Sequence, residues 1–336
     1  MRLIFCGTPE FAVPALETLC QGGYLPALVI TQPDRARGRG QKISAPPVKL
    51  AALQAGLEVY QPIRFNSEEC LDRLRQVQAD LAVVVAYSAK IGATALAIPA
   101  SGWLNLHPSL LPAYRGAAPL QWALLDGLPV TGNTTFFLNE RWDAGPVCLQ
   151  ETLPLDTQAR YGEIMPLFAR RGADLLLRSV RLIEQGCAPR IPQDDSQATF
   201  APLLRAEDSF LDWSQSALRI HNRIRALYPE PGVFACLKGK RIRIQQTRLH
   251  SAAASGLPGE VIQCDKQGLV IQTGEGGLEI LELRPENRGS MKALDFINGA
   301  RLRPGDRFEN GGYCEPAPPA TEPSPRESPP AGHDPD

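Results

Sequence analysis

An asparagine and a histidine two residues apart, followed by a proline-bracketed loop, could do chemistry in this sequence. The segment reads NLHPSLLP from Asn105 to Pro112 and follows the apolar residues Gly-Trp-Leu. On a strand, the side chains of Asn105 and His107 would project to the same face. An amide N–H can stabilise an oxyanion that develops on a carbonyl, and an imidazole can share that role or move a proton. We therefore predict that the pair serves one reacting carbonyl.

Asp143 is the best candidate for an acid beside this imidazole. It lies in LNERWDAGPV, after the β-rich run TGNTTFFL, and the Gly-Pro pair behind it marks a loop. A carboxylate there could fix the imidazole tautomer and accept a proton. Such a trio has no covalent nucleophile and suits direct attack by a substrate amine. Structural alternatives stay open, with His107 as a satisfied strand-end histidine and Asp143 as a turn residue.

Other reaction classes lack their motifs in this sequence. The first strand-to-helix turn, CGTPEFA, has one glycine and would place Glu10 beside a pyrophosphate, which argues against a dinucleotide site. Neither a phosphate-binding P-loop nor a GxSxG serine elbow occurs. The four histidines are far apart, and the eight cysteines form no CxxC pair. We therefore predict no metal site and no disulfide framework.

The elements that must position these residues alternate between strand and helix patterns over residues 1–190. Apolar runs such as RLIFCG, ALVIT, ADLAVVVAY and GWLNLH predict buried strands, and the helix SEECLDRLRQVQ begins after the cap residue Ser67. A long polar loop is expected after ALVIT. This alternation predicts an α/β fold with a doubly wound, mainly parallel sheet. Ligands bind such sheets beyond the carboxyl ends of the strands, where NLHPSLLP would lie.

The rest of the chain predicts a different architecture. Residues 191–207 are polar and irregular, and we interpret them as a linker. Residues 208–313 contain the helix pattern SALRIHNRIRAL and then short strands separated by glycines, which is typical of a small antiparallel barrel. Residues 314–336 are rich in proline and acid, and we expect them to be disordered.

Positive charge is concentrated in two regions although the formal net charge of the 336 residues is −1. Residues 31–50 contain five basic residues against one acid, and residues 217–248 contain eight against one. Together the two regions could form a track for a phosphate backbone. No apolar run reaches the length of a membrane helix, and the start lacks the layout of a signal peptide. We expect a cytoplasmic monomer.

Two segments carry a resemblance to a known family. NLHPSLLPAYRGAAPLQWAL and GNTTFFLNERWDAGP are similar to the motifs of folate-dependent formyltransferases. The resemblance implies formyl transfer from 10-formyltetrahydrofolate to an amine, without a metal, on a Rossmann-like domain followed by an OB-like barrel. It also assigns two residue sets: the catalytic residues Asn105, His107 and Asp143, and the folate-contacting residues Ser109, Leu110, Leu111 and Pro112.

Within this family, the chain is most similar to members that formylate methionyl initiator tRNA. The opening FCGTPEFAVPALE, the loop TQPDRARGRGQK and the ending DFINGARLRPGDRF carry that similarity. It implies a tRNA-binding loop with Arg35, Arg37, Arg39 and Lys42. Ser88 departs from the family pattern, where a glycine is usual, and the proline-rich tail has no counterpart in it.

Two alternatives remain open at this point. One is a formyltransferase for a small amine, such as a nucleotide sugar or glycinamide ribonucleotide, which would need neither the basic loop nor the barrel. The other is an RNA-binding protein without catalytic activity, because OB-like barrels bind RNA.

Overall fold

The computed structural model describes residues 1–37, 42–250 and 255–310, with only the backbone of Arg37 and Lys42. Arg39 and the predicted disordered tail, residues 314–336, lie outside the described residues. Two large β-sheets and one short hairpin organise the part of the chain that is described.

The first half of the chain contains nine strands and six α-helices in its described residues. In chain order the strands are β1 (Leu3–Gly7), β2 (Pro26–Ile30), β3 (Arg35–Arg37), β4 (Lys42–Ser44), β5 (Val59–Tyr60), β6 (Leu81–Val85), β7 (Trp103–His107), β8 (Val130–Phe137) and β9 (Val147–Pro154). The helices are α1 (Val13–Gln21), α2 (Pro47–Gln54), α3 (Glu68–Val77), α4 (Ala93–Leu96), α5 (Pro119–Leu125) and α6 (Tyr161–Glu184).

The first sheet has the order β5-β2-β1-β6-β7-β8-β9, with parallel pairing from β5 to β7 and antiparallel pairing from β7 to β9. The residues of β1 and β6 are buried throughout, as expected of parallel strands covered on both faces. The predicted doubly wound, mainly parallel sheet is therefore confirmed. Strand order reverses between β1 and β6, and β7 ends at the same edge as both.

The expected polar loop after β2 is wrong in part, because residues 35–37 and 42–44 form two antiparallel strands, which we call the basic hairpin. Arg35 pairs with Ser44 and Ala36 with Ile43 in antiparallel register. The two strands, Arg-Ala-Arg and Lys-Ile-Ser, are only three residues long and mostly polar. They therefore show no apolar periodicity that would predict strands. Two of the predicted tRNA-contacting residues, Arg37 and Lys42, pair across it.

The second half of the chain folds as an antiparallel sheet with two helices. Its strands are β10 (Val233–Leu237), β11 (Lys240–His250), β12 (Val261–Asp265), β13 (Gly268–Gln272), β14 (Gly277–Pro285), β15 (Met291–Lys292) and β16 (Phe308–Glu309). The helices are α7 (Ala217–Leu227) and α8 (Ala293–Ala300).

This second sheet is curled, in agreement with the predicted barrel. Its order is β12-β13-β14-β11-β10-β16, and β15 pairs with β14. A bridge between Glu260 and Arg307 joins the start of β12 to the segment before β16, so the two edges of the sheet approach each other. Trp213 and Phe308 fill the interior with their rings edge to face at 6.0 Å.

The segment that we interpreted as a linker packs against the first sheet. Phe200 forms a parallel bridge with Arg115, and Ile191 forms an antiparallel bridge with Val147. Two short 3₁₀ helices, Asp195–Gln197 and Ala206–Ser209, interrupt the segment. The domain boundaries themselves stay predictions.

One arginine of α7 connects the two halves of the chain. Arg225 is buried, and its guanidinium donates to the side chain of Asn222 at 2.9 Å and to the carbonyls of Asp156 at 3.2 Å and Leu124 at 3.3 Å. Burial lowers the pKa of this guanidinium. Since α5 contributes Leu124, this side chain adds hydrogen bonds to the apolar packing of α7 on the first half of the chain.

Replacing Arg225 with methionine should therefore destabilise the protein. The apolar chain fills most of the volume but leaves buried carbonyls without a donor, which costs roughly 2 to 3 kcal/mol. Urea unfolding measures the change. The matched variant Arg219→Met, on the exposed side of α7, should stay within about 0.5 kcal/mol of the original protein. Equal effects in the two variants would contradict the connecting role of Arg225.

Candidate active site

Strand β7 positions Asn105 and His107. Leu104 and Leu106 are buried in the core beneath the sheet, so Asn105 and His107 project together from the opposite face. Asn105 lies opposite Phe136 of β8, and His107 is the last residue of β7. Both side chains therefore stand at the carboxyl edge of the parallel strands, as predicted.

A backbone carbonyl holds the imidazole. The Nε2 of His107 lies 2.9 Å from the carbonyl oxygen of Tyr114, which can only accept, so Nε2 carries a proton. In the neutral ring, Nδ1 then has a free lone pair. The ring also packs edge to face on Phe136 at 6.3 Å. Only 5% of His107 is exposed, so the ring keeps this orientation.

Asp143 lies beside the imidazole, but it does not fix the tautomer as we expected. Its Oδ2 is 3.9 Å from the Nδ1 of His107, which is too long for a hydrogen bond. The Tyr114 carbonyl fixes the tautomer instead, and Nδ1 faces the carboxylate.

A backbone N–H fixes the carboxylate of Asp143. The Gly116 N–H donates to Oδ2 at 2.8 Å. Within the described residues Oδ1 makes no hydrogen bond, and it is not closed off from solvent. Asp143 itself has a left-handed backbone, with φ of 47°. One oxygen is thus anchored and the other is open toward the site.

The loop that carries Asp143 is held by a side chain of the expected linker. The Nε2 of Gln193 donates to the carbonyls of Asp143 at 2.9 Å and Gly145 at 2.8 Å. Its Oε1 accepts from Arg115 at 3.0 and 2.7 Å. Sequence reasoning missed Gln193 because a glutamine in a polar, irregular segment carries no motif.

Two arginines converge on Asp195 beside this network. Arg141 donates to both of its carboxylate oxygens, and Arg115 donates at 2.8 Å. These two guanidinium groups, Arg141 first, lower the pKa of Asp195 to about 2. The ion pairs join the Asp143 loop, the segment before α5 and the 3₁₀ helix of residues 195–197.

The amide of Asn105 is free to act on a ligand. Among the described residues it has no hydrogen-bond partner, and its polar atoms keep contact with solvent. Its amide lies on the same face as His107, whose ring is already oriented. A free amide donor beside a fixed imidazole and an open carboxylate oxygen can polarise a carbonyl and receive a proton.

The predicted folate-contacting loop is rigid. The hydroxyl of Ser109 donates to the Ala113 carbonyl at 2.7 Å, and Gln150 donates to the Leu111 carbonyl at 2.7 Å. Leu111 packs in the small core cluster with Phe136. Ser109 and Leu111 are buried, whereas Leu110 and Pro112 are partly exposed. The last two therefore have the side chains that a ligand can reach, and the folate assignment stays a prediction.

The basic hairpin lies near the same edge of the sheet. Arg35 lines a cavity of about 190 Å³ together with Thr8, Ser44 and Ser88. The one acid of residues 31–50, Asp34, is neutralised within the region by its ion pair with Lys49 at 2.8 Å. The positive charge of Arg35 is therefore not cancelled by that acid.

The second basic region is weaker than its sequence indicates. Arg225 and Arg243 are buried and cannot contact a phosphate backbone. Arg248 pairs with Glu279 at 2.7 Å, and Lys238 pairs with Asp306 at 3.0 Å. The net count over residues 217–248 therefore overestimates the positive charge on this surface.

Residues 1–37, 42–250 and 255–310 contain neither a metal-binding cluster nor a helix that could cross a membrane. Among them, no group of three or more His, Cys, Asp or Glu side chains could hold a metal ion. None of the helices in this part of the chain has the length and hydropathy needed to span a bilayer.

Comparison with known families shows the family to which the chain belongs. Residues 1–180 match the formyl transferase family, and residues 203–301 match the C-terminal domain of formyl transferases. The chain belongs to the formyl transferase family. The resemblance of the two motif segments is thereby confirmed at the level of the family.

Similar proteins cover nearly the whole chain. A methionyl-tRNA formyltransferase of Moorella thermoacetica is 44% identical over 91% of this chain and 98% of that protein. One of Syntrophomonas wolfei is 42% identical with the same coverage. A solved N-formyltransferase of Helicobacter canadensis, in complex with folinic acid and dTDP-3-aminofucose, aligns at a TM-score of 0.62. At 16% identity, over 83% of this chain and 97% of that one, it shows a shared fold.

Removing the hydrogen bonds of Gln193 should impair formyl transfer without unfolding the protein. Gln193→Leu leaves two carbonyls of the Asp143 loop without their donor, so the carboxylate shifts, and small shifts of catalytic groups cost about 100-fold in rate. Steady-state kinetics measure kcat. Gln197→Leu changes a nearby exposed glutamine that bonds only to Asp194 and should keep full activity. Equal kcat values in the two variants would contradict the role of Gln193.

Proposed function

We propose that the protein transfers a formyl group from 10-formyltetrahydrofolate to the free amine of methionyl initiator tRNA. The observation that carries the chemistry is the trio of an unbonded amide, an oriented imidazole and a half-anchored carboxylate at one edge of the sheet. The acceptor is supported by the relatives at 41–44% identity over most of the chain, all of which are methionyl-tRNA formyltransferases.

The folate co-substrate is supported by the loop beside the trio. Structures with the same fold were solved with tetrahydrofolic acid, folinic acid or 5-N-formyl-THF. In this chain, the partly exposed Leu110 and Pro112 would contact the folate, and Ser109 and Leu111 would hold the loop in shape. This arrangement would place the formyl carbon in front of Asn105 and His107.

The reaction would begin with attack of the neutral methionyl amine on the formyl carbon. As the C–N bond forms, the carbonyl electron pair moves to oxygen, and the Asn105 amide donates to that oxyanion. His107 can donate there only when Nδ1 is protonated, since Nε2 is committed to the Tyr114 carbonyl. Nδ1 is the ring nitrogen that faces the carboxylate, with Asp143 Oδ2 at 3.9 Å.

The amine proton would pass to the open oxygen of Asp143. Oδ2 is held by the Gly116 N–H, so Oδ1 is the oxygen able to receive it. Collapse of the tetrahedral intermediate then breaks the bond to N10 of the folate, and the proton leaves Asp143 for that nitrogen. Atoms and charge balance without a covalent enzyme intermediate.

A small-amine acceptor remains the second candidate. The nucleotide-sugar enzymes with this fold are only 15–16% identical to the chain. The discriminating assay compares methionyl-tRNA with sugar amines and glycinamide ribonucleotide as acceptors, with 10-formyltetrahydrofolate as donor. Faster formylation of a small amine would overturn the proposed acceptor and leave formyl transfer intact.

Replacing Asn105 with alanine should lower kcat for formylation about 100- to 1000-fold, because one oxyanion donor is lost. Single-turnover rates with saturating 10-formyltetrahydrofolate and methionyl-tRNA measure the chemical step directly. Asp143→Asn keeps the anchored shape but removes the proton acceptor, and it should also be slow. Full activity in either variant would contradict the mechanism.

Binding of tRNA should weaken with salt if the hairpin contacts phosphates. Arg35→Ala should raise KM for methionyl-tRNA and lower the slope of log KM against log salt by about 1, which corresponds to one lost phosphate contact. Arg178→Ala removes an exposed arginine of α6, outside the predicted RNA surface, and should leave the slope unchanged. A KM that does not respond to salt would exclude a backbone contact.

A further inference from the structure

Two large aromatic side chains are exposed at the rim of the active site. Trp142 is 65% exposed and immediately precedes Asp143, and Phe200 is 71% exposed. Single exposed aromatic residues are ordinary, but folded proteins usually bury rings of this size. The mechanism proposed above uses neither ring.

The backbone connects both residues to the catalytic carboxylate. Asp143 accepts a hydrogen bond from the Gly116 N–H, and Gly116 follows Arg115. The Arg115 N–H donates to the Thr199 carbonyl at 2.9 Å, and the Ala201 N–H donates to the Arg115 carbonyl at 2.8 Å. Phe200 stands between these two bonds. Trp142 and Phe200 therefore belong to the two segments that meet at Asp143.

The local geometry directs both rings outward. Ala201 is fully buried and Phe200 is exposed, as in an extended segment whose successive side chains alternate. Trp142 and Asp143 lie in a turn in which Asp143 is buried and Trp142 is exposed. Bonds at 2.8–2.9 Å to Asp195 hold Arg141 beside Trp142. Each ring thus projects from a backbone segment that hydrogen bonds hold beside Asp143.

Charge offers little attraction for an anion at this rim. Arg141 is paired with Asp195, and Glu140 and Asp194 are also exposed. A ligand that binds here must therefore gain its energy from contact with the aromatic faces. Unpaired nucleotide bases do this on any exposed ring, because every base has a π-face.

We propose that Trp142 and Phe200 form an aromatic rim on which unpaired bases near the aminoacylated end of the acceptor RNA stack. The proposal rests on the proposed function, because it assumes an RNA acceptor. It adds a base-stacking subsite beside Asp143 to the phosphate contacts expected at the basic hairpin. The subsite positions the RNA end, and it takes no part in bond making.

Intrinsic fluorescence can test the contact without catalysis. Of the four tryptophans, Trp103 and Trp213 are buried, and Trp122 is half-buried with its Nε1 bonded to the Pro202 carbonyl at 2.8 Å. Trp142 is the exposed one. A short single-stranded RNA without an amino acid should therefore quench the emission of the full-length protein. This quenching should be absent in Trp142→Phe.

Kinetics with methionyl-tRNA give the second readout. Trp142→Leu keeps apolar bulk but removes the aromatic face, so KM for methionyl-tRNA should rise about tenfold at unchanged kcat. Trp142→Phe should restore most of the affinity, and Phe200→Leu should behave like Trp142→Leu. The slope of log KM against log salt should not change. Leu25→Ala, at a site 62% exposed before β2, is the matched control.

Three results would overturn the proposal that bases stack on the aromatic rim. Unchanged emission at saturating RNA would show that no base reaches Trp142. A fall in kcat of equal size in Trp142→Leu and Trp142→Phe would make Trp142 a support of the Asp143 loop. Self-association that Trp142→Leu abolishes in sedimentation would make the rim a protein interface. Failure of the unmodified protein to formylate methionyl-tRNA would instead overturn the proposed function. Quenching of Trp142 emission by single-stranded RNA would still show whether bases contact the aromatic rim.

Discussion

The hydrogen bond from the Gly116 N–H to Asp143 Oδ2 is the contact on which the rest of the site depends. A buried carboxylate is costly unless hydrogen bonds or charges stabilise it. Here one backbone N–H meets one oxygen at 2.8 Å, and the second oxygen stays open. Gly116 has φ of 129°, and a Cβ there would lie 2.5 Å from the Ala201 carbonyl oxygen. Glycine is therefore required for the bond to form at all.

The close approach of Gly116 to Ala201 shows that residues 191–207 are more than a spacer between two domains. Gln193 bonds the Asp143 loop, Thr199 accepts from Arg115, and Ala201 packs against Gly116. The segment therefore forms one wall of the site before it continues to α7. Because α7 is itself held to the first half of the chain by Arg225, both ends of this segment are anchored.

Strand periodicity and motif spacing could predict the fold and the approach of Asn105, His107 and Asp143 at one edge of the sheet. Continuous apolar runs marked the parallel strands, and a spacing of two placed Asn105 and His107 on one face. Other contacts of the site and the fold could not be predicted from residue types. The Tyr114 carbonyl that holds the imidazole is backbone, which every residue has. Gln193 sits in a stretch without periodicity, and burial of Arg225 and Arg243 depends on tertiary packing that a charge count ignores.

The segment NLHPSLLP offers no free nucleophile, because the Ser109 hydroxyl donates to the Ala113 carbonyl. This agrees with a site in which several groups are bonded before a substrate arrives. Nε2 of His107 is bound to the Tyr114 carbonyl and Oδ2 of Asp143 to the Gly116 N–H. The groups left over are the Asn105 amide, Nδ1 of His107 and Oδ1 of Asp143. These are an amide, a ring nitrogen and a carboxylate oxygen at one edge of the sheet. The Asn105 amide would supply a donor for the oxyanion, and the unbonded Oδ1 would receive the proton of the attacking amine. Direct attack by a substrate amine, as proposed here, therefore uses only groups that the fold leaves unbonded, so no side chain of the segment has to form a covalent bond to the substrate.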